Sequence, residues 1–398
     1  AAMLPIVGND SVAVRLDRLA ATEASGFKLN DLTATVFYTP KSLEIQSLSV
    51  ALPNTNVRLG NIKLRYDSVA MIKNLGRSIP VRLKLLDGSH ITPSDLSSLV
   101  PALKAVDENY DLAIEGYGTL SDLTINTFKI SHPGLALSIQ GRFNIDSLSC
   151  KDLHLLGNIR AVKVAAMLDK AQLGISPKIL ADITRLGNVR VDINAYGDRH
   201  YFDGNVMLRT SVGNVALDGT LSALDNSFDR LTANATIDIQ GVNLGLVTTY
   251  ARLGRFTGSI DVDADIIRSC RSFAGDVAAR IDAIEWNGQA YHDIAVRANS
   301  DFDRTFVADL AANTDAGNIE ANVGGSYDIS APALNLTATL QNIDLQTLGF
   351  SDKYDGYKLN ADFGADLQGR IDTWVNGYVQ VKKLRFEHPE KASIEVDN

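Results

Sequence analysis

Along most of this chain apolar and polar residues alternate one for one, and that period excludes most folds before any motif is considered. In Leu231-Thr-Ala-Asn-Ala-Thr-Ile-Asp-Ile239 the odd positions are apolar and the even ones are Thr, Asn, Thr and Asp. Leu334-Asn-Leu-Thr-Ala-Thr-Leu340 and Leu359-Asn-Ala-Asp-Phe-Gly-Ala-Asp-Leu367 keep the same order. Ile260-Asp-Val-Asp-Ala-Asp-Ile266 keeps it until Ile267. Side chains alternate faces along a strand, so each segment has one dry face and one wet face. Asn226-Ser227, Asn287-Gly288 and Asp315-Ala-Gly317 supply turns, and antiparallel pairing follows.

Composition supports this reading and narrows the function. Hydrophobic residues are 45% of the 398, too many for a disordered chain. Only 10 prolines, 4 methionines and 2 tryptophans accompany them. The net charge is −9 with both signs interspersed, so no basic stripe points to nucleic acid. No run reaches the roughly 18 apolar residues of a membrane span. Short strands and the lack of aromatic girdles argue against a membrane barrel. The start, Ala1-Ala2-Met3-Leu4-Pro5, lacks the charged and apolar regions of a signal peptide. The protein is then either cytosolic or an interior piece of a longer chain; Glu395-Val396-Asp397-Asn398 reads as a strand cut short and favours the interior piece.

Helical signals are short and recur at intervals. Thr92-Pro93-Ser94-Asp95 resembles a capping box with Thr92 as N-cap, and its helix continues through Leu96, Leu99, Val100 and Leu103. Ser176-Pro177 opens a second helix that ends at Gly187. Asn243 to Leu253 makes a third, and Asp344 to Gly349 a single turn. Each is followed by strand, turn, strand. The second strand carries a shared pattern in Phe202-Asp-Gly204-Asn-Val206, Phe273-Ala-Gly275-Asp-Val277 and Val375-Asn-Gly377-Tyr-Val379. This is a degenerate repeat. It divides one continuous elongated structure into a β segment over 1–90, helix-plus-strands repeats over 91–160, 161–240 and 241–341, and a truncated one over 342–398. A strand every 8–12 residues predicts on the order of 30 strands. Open sheets rarely exceed about 10 strands, so this one must split, close or fold lengthwise.

No catalytic apparatus is legible. His90, His132, His154, His200, His292 and His388 share no metal-ligand spacing. No GxSxG or P-loop occurs, and Gly116-Tyr-Gly118 and Gly254-Arg-Phe-Thr-Gly258 read as turn glycines. Asp261, Asp263 and Asp265 lie on one strand face and lack the glycine and distant Glu of a calcium loop. Cys150 and Cys270 stand in no CxxC or Cys/His set, which leaves two isolated thiols or a disulfide. No cofactor and no metal is expected.

Four stretches carry a family resemblance. They are Leu52-Pro53-Asn54-Thr55 before Ile62-Lys-Leu-Arg-Tyr-Asp67, Ile91-Thr-Pro-Ser-Asp-Leu96, Leu112-Ala-Ile-Glu-Gly-Tyr-Gly118, and Leu340-Gln-Asn-Ile-Asp-Leu345-Gln-Thr-Leu-Gly349. Together they resemble the TamB-like branch of the AsmA-like superfamily, long periplasmic proteins anchored in the inner membrane of Gram-negative bacteria. The resemblance implies a sheet folded lengthwise into a U-shaped apolar trough, the β-taco. It implies carriage of phospholipid between inner and outer membranes, and support of outer-membrane protein assembly with a BamA-like β-barrel partner. The family's N-terminal membrane anchor would lie outside this piece.

On that reading the trough is lined by Leu137, Ile139, Phe143, Val189, Val191, Ile193, Val206, Leu208, Leu217, Ile237, Ile239, Ile260, Val262, Val277, Ile281, Leu334, Leu336, Phe363 and Val379. The competing expectation is a structural or adhesin-like β-array in which the same residues form a sealed core. A hydrolase of extended polymers would need convergent carboxylates or cations on one face, and no such cluster is legible.

Overall fold

The computed structural model describes residues 6–8, 10–68, 70–71, 77, 79–170, 175–248, 250–328, 330, 332–347, 355–370 and 374–397. The fold is mostly β, with antiparallel strands and a few short helices. Two units are distinguished, Ala1–Ser211 and Val212–Asn398.

The first unit begins with β1 (Ile6–Gly8), β2 (Ser11–Thr22), β3 (Lys28–Thr39) and β4 (Ser42–Ala51). Four short pieces follow: β5 (Asn56–Arg58), β6 (Ile62–Arg65), β7 (Val81–Lys84) and β8 (His90–Ile91). Then come β9 (Tyr110–Thr119), β10 (Asp122–His132), β11 (Leu135–Asn144) and β12 (Ser149–Arg160). Helices α1 (Ala161–Lys170) and α2 (Pro177–Arg185) precede β13 (Asn188–Gly197) and β14 (Tyr201–Thr210). From β9 to β14 each strand pairs antiparallel with the next.

The second unit opens with β15 (Gly213–Ala223), β16 (Arg230–Asn243), the short α3 (Leu244–Thr248) and β17 (Leu253–Ile267). It continues through β18 (Ser272–Trp286), β19 (Gln289–Ser300), β20 (Thr305–Thr314) and β21 (Gly317–Ser326). It ends with β22 (Ala333–Asp344), β23 (Lys358–Arg370), β24 (Trp374–His388) and β25 (Lys391–Asp397). Every strand pairs with its sequence neighbour.

Many of these strands run 10 to 15 residues, so fewer are found among the described residues than the expected thirty. The shortness used above against a membrane barrel therefore fails, since 9–11 residues suffice for a membrane-crossing strand.

Long strands must keep their apolar residues on one face, and bulges do this. Four strands carry the sequence apolar–polar–polar–apolar: Ile45-Gln-Ser-Leu48, Cys150-Lys-Asp-Leu153, Ile239-Gln-Gly-Val242 and Leu340-Gln-Asn-Ile343. At each the ladder shifts by one residue. The third member has positive φ each time: Ser47 at 53°, Asp152 at 52°, Gly241 at 59° and Asn342 at 54°. The extra residue switches which parity faces inward at the point where the sequence switches parity. Short polar side chains and glycine tolerate that left-handed backbone best.

The repeated glycine also has a structural cause. Gly275 faces Ala264 and Gly377 faces Leu367 across the ladder, with φ of 149° and 145°. A Cβ on Gly275 would lie 2.1 Å from Asp263 O, and one on Gly377 would lie 1.9 Å from Asp366 O. Only glycine lets the neighbouring backbone approach that closely. Asn287 and Gly288, both with positive φ, form the two-residue hairpin that their sequence predicts between Trp286 and Gln289.

The ladder is interrupted between β4 and β9. There β5 and β6 both pair with β4, while β7 and β8 both pair with β9. A bridge from Leu59 to Leu85 joins them. The break makes room for a sealed cluster of Leu64, Tyr66 and Ile79, flanked by Tyr38, Leu43, Ile62, Met71 and Val81.

The helices depart from expectation in three places. Thr92 precedes a 3₁₀ turn (Pro93–Leu96), but its hydroxyl does not cap it. It donates to Asn54 O at 3.0 Å, tying two loops together. The expected continuation to Leu103 is instead a second 3₁₀ turn (Pro101–Ala105), because Pro101 lacks an N–H and disfavours helix at Val100. The expected helix from Asn243 to Leu253 shrinks to α3. Asn243 stays in β16, and Gly245, Val247 and Thr248 propagate helix poorly. Helix α1 was not predicted. Ser176 does cap α2, accepting from Ile179 N, and Gly187 follows its end at φ 68°. Leu348 and Gly349 lie outside the described residues.

Asn342→Val should destabilise the full chain by about 1–2 kcal/mol in urea titration, because a β-branched residue resists positive φ. Asn342→Gly should lie within about half a kcal/mol of the parent.

Candidate functional site

Reading across the ladder rather than along the chain reveals the face these strands share. In the first unit one row runs Leu112, Ile130, Leu137, Gly157, Val191, Leu208. The next runs Ile114, Phe128, Ile139, Leu155, Ile193, Val206. Val189 pairs with Ile159, and Phe143 with Leu123 and Cys150, on the same side.

The rows of the second unit are longer. One runs Leu217, Ile237, Ile260, Ala279, Val296, Leu310, Ala321, Ala338, Phe363, Val381. Beside it lie Gly219, Ala235, Val262, Val277, Ala298, Ala308, Val323, Leu336, Ala365, Val379. A third runs Val215, Ile239, Gly258, Ile281, Ile294, Ala312, Ile319, Leu340, Ala361, Leu384, Val396. Leu334 belongs to a fourth, between Gly325 and Leu367. No polar side chain enters the first three.

All nineteen residues singled out in the sequence fall on these apolar faces, eight in the first unit and eleven in the second. Most are half-buried; Val189 is buried and Val379 is 68% exposed. Sequence reading missed Val296, Leu310, Ile319, Leu340 and Leu384. The same alternation carries them, and their register identifies them.

Half-burial is the informative quantity. The core of a sandwich reads as buried, whereas Leu217, Ile237, Ile260, Val296 and Leu310 do not. The chain exposes 24177 Å². Two compact globules of half its mass would expose about 18,000 Å² together. The excess accords with apolar rows that are only half-covered.

The opposite face is polar and internally bonded. Thr236 Oγ1 donates to Asp261 at 2.7 Å, and Thr232 Oγ1 to Asp265 at 2.5 Å. Asn322 Nδ2 donates to Asp309 at 2.7 Å, and Asn299 Nδ2 to Asp276 at 3.0 Å. These cross-strand bonds satisfy carboxylates and pin the register. Among the described residues no three His, Cys, Asp or Glu side chains gather to hold a metal. Both cysteines are free thiols; Cys270 is exposed, and burial pushes the half-buried Cys150 thiol up. No helix is long and apolar enough to cross a membrane among the described residues.

On the polar face of the first unit Glu115 joins β9 to β7, 3.1 Å from Lys84 Nζ and 3.5 Å from Arg82. The hydrogen bond from Lys84, then its charge, hold the Glu115 carboxyl below its ordinary value of 4.5. No protein-family model matches the chain, and no curated protein or solved structure does.

A lowered folded-state pKa gives stability that is present above the ordinary carboxylate value and lost as pH falls through the lowered one. Glu115→Gln should therefore lower the urea midpoint at neutral pH. The gap between parent and variant should close as the pH falls below 4.5 and through the lowered value.

Proposed function

We propose that this chain is a stretch of a non-catalytic, bridge-like lipid carrier of the TamB-like kind, with the apolar face as the path for acyl chains. The observation that carries the reading is the set of ladder rows in the second unit, apolar over ten and eleven consecutive strands and only half-buried. An acyl chain gains about 0.8 kcal/mol for each methylene removed from water, so even partial cover holds a lipid. Rows built from Ile, Leu, Val, Ala and Gly offer near-equal contacts at each rung. Neighbouring rungs lie about 4.8 Å apart, so a chain crosses several at once and meets no deep minimum. Wet headgroups stay outside the apolar strip.

On this reading the protein works in the periplasm between an inner-membrane anchor and the outer membrane. A BamA-like barrel would be its partner there, and phospholipid its cargo. The rival is a scaffold or adhesin-like array whose apolar face is sealed. Among the described residues of the second unit, the buried apolar ones are mostly alanines, which weighs against it.

Native mass spectrometry of the purified chain should find bound phospholipid. A photoreactive residue at Ile237 or Leu310 should cross-link to lipid, and one at Asn322 on the polar face should not. Ile260→Arg with Leu310→Arg should reduce co-purified lipid several-fold. Lipid-free protein, or equal cross-linking from Asn322, would favour the sealed array.

A further inference from the structure

A cavity of about 570 Å³ lies in the first unit, at the end of β11 to β14 where α1 and α2 attach. Its lining includes Arg160, Arg190, Arg209 and Asn158, and no Asp or Glu. That is unexpected in a chain with 47 acidic and 38 basic residues. Register places the four on one face. Asn158 is opposite Arg190, Arg190 is opposite Arg209, and Arg160 is two residues beyond Asn158. They lie on the polar side, since Ile159, Val189 and Leu208 alternate with them on the other.

Like charges directly opposite each other across a ladder destabilise it. Some other cations of this unit are compensated: Arg142 meets Asp122 at 2.6 Å and Arg82 meets Glu115. No ion pair among the described residues involves Arg160, Arg190 or Arg209. The stem of Lys163 on α1 packs over Gly134, its Cγ 3.0 Å from where a Cβ would be.

We propose that this cavity binds a phosphate group. Guanidinium forks match phosphate oxygens two at a time, and the Asn158 amide adds a donor. A phosphate between Arg190 and Arg209 converts their repulsion into two attractions. The cavity is larger than a lone phosphate, leaving space for whatever the phosphate is esterified to. Leu135, Ile159 and Val189 line the cavity as well, but the proposal rests on the cations and stands whether or not the apolar rows carry lipid.

Calorimetric titration of the full chain with pyrophosphate and with glycerol 3-phosphate, and flotation with phosphatidylcholine vesicles with and without phosphatidylglycerol, test it. The parent should bind at least one of these probes. Arg190→Gln with Arg209→Gln should weaken that binding at least tenfold, and Arg280→Gln on the second unit should leave it unchanged. Binding of pyrophosphate or glycerol 3-phosphate identifies a free phosphate compound as the ligand; binding of the phosphatidylglycerol vesicles alone identifies a lipid headgroup. Binding of no probe, or equal binding by the double variant, overturns the proposal. Without probe, the double variant should melt no lower than the parent, because a repulsion has been removed. A lower midpoint overturns the proposal too.

Discussion

Everything in this molecule depends on each strand keeping its place against the next. Side-chain direction has a period of two, so a slip of one residue between neighbours would turn a whole strand inside out. An apolar row of ten strands requires nine successive pairings to agree. The hydrogen-bonded Thr–Asp and Asn–Asp pairs of the polar face fix the same register from the other side. The two faces are one constraint, satisfied twice.

That constraint explains why the chain holds together with so little sealed interior. Backbone ladders satisfy nearly every strand's polar groups, and neighbouring side chains half-cover one another along each row. What a sandwich would obtain from a second layer is left unused. In the function proposed, such a surface would take long apolar molecules that lie along it, with little discrimination among them. Any selectivity would then sit elsewhere, in charged features such as the Arg160, Arg190 and Arg209 cavity.

Much of the fold was legible because it is local. Alternation marked the strands, Asn287-Gly288 its hairpin, and Ser176-Pro177 with Gly187 the two ends of α2. Other features were illegible for definite reasons. Ala161-Val-Lys-Val opens α1 directly from the end of β12, with no capping residue and two β-branched side chains, so nothing announces a helix. At Thr92 the right residue type was present, but a tertiary partner, the carbonyl of Asn54, claimed the hydroxyl. The bulges look like lapses in the alternation until register shows that each lapse preserves the face. Arg190 and Arg209 are 19 positions apart in sequence, and only hairpin pairing makes them neighbours. The apolar face was thus readable residue by residue, whereas the cation cluster required the ladder.

The broken rungs around Leu64 have a mechanical consequence. Elsewhere a strand is held mainly by the two beside it, so a load or thermal fluctuation at an exposed edge can peel the sheet one rung at a time, like a zipper. At β5 to β8 this sequential loss meets a stop. Leu64, Tyr66 and Ile79 release only together, since their burial comes from several segments at once. The sheet is therefore graded in toughness, with a knot of cooperative packing in a fabric that otherwise yields by increments.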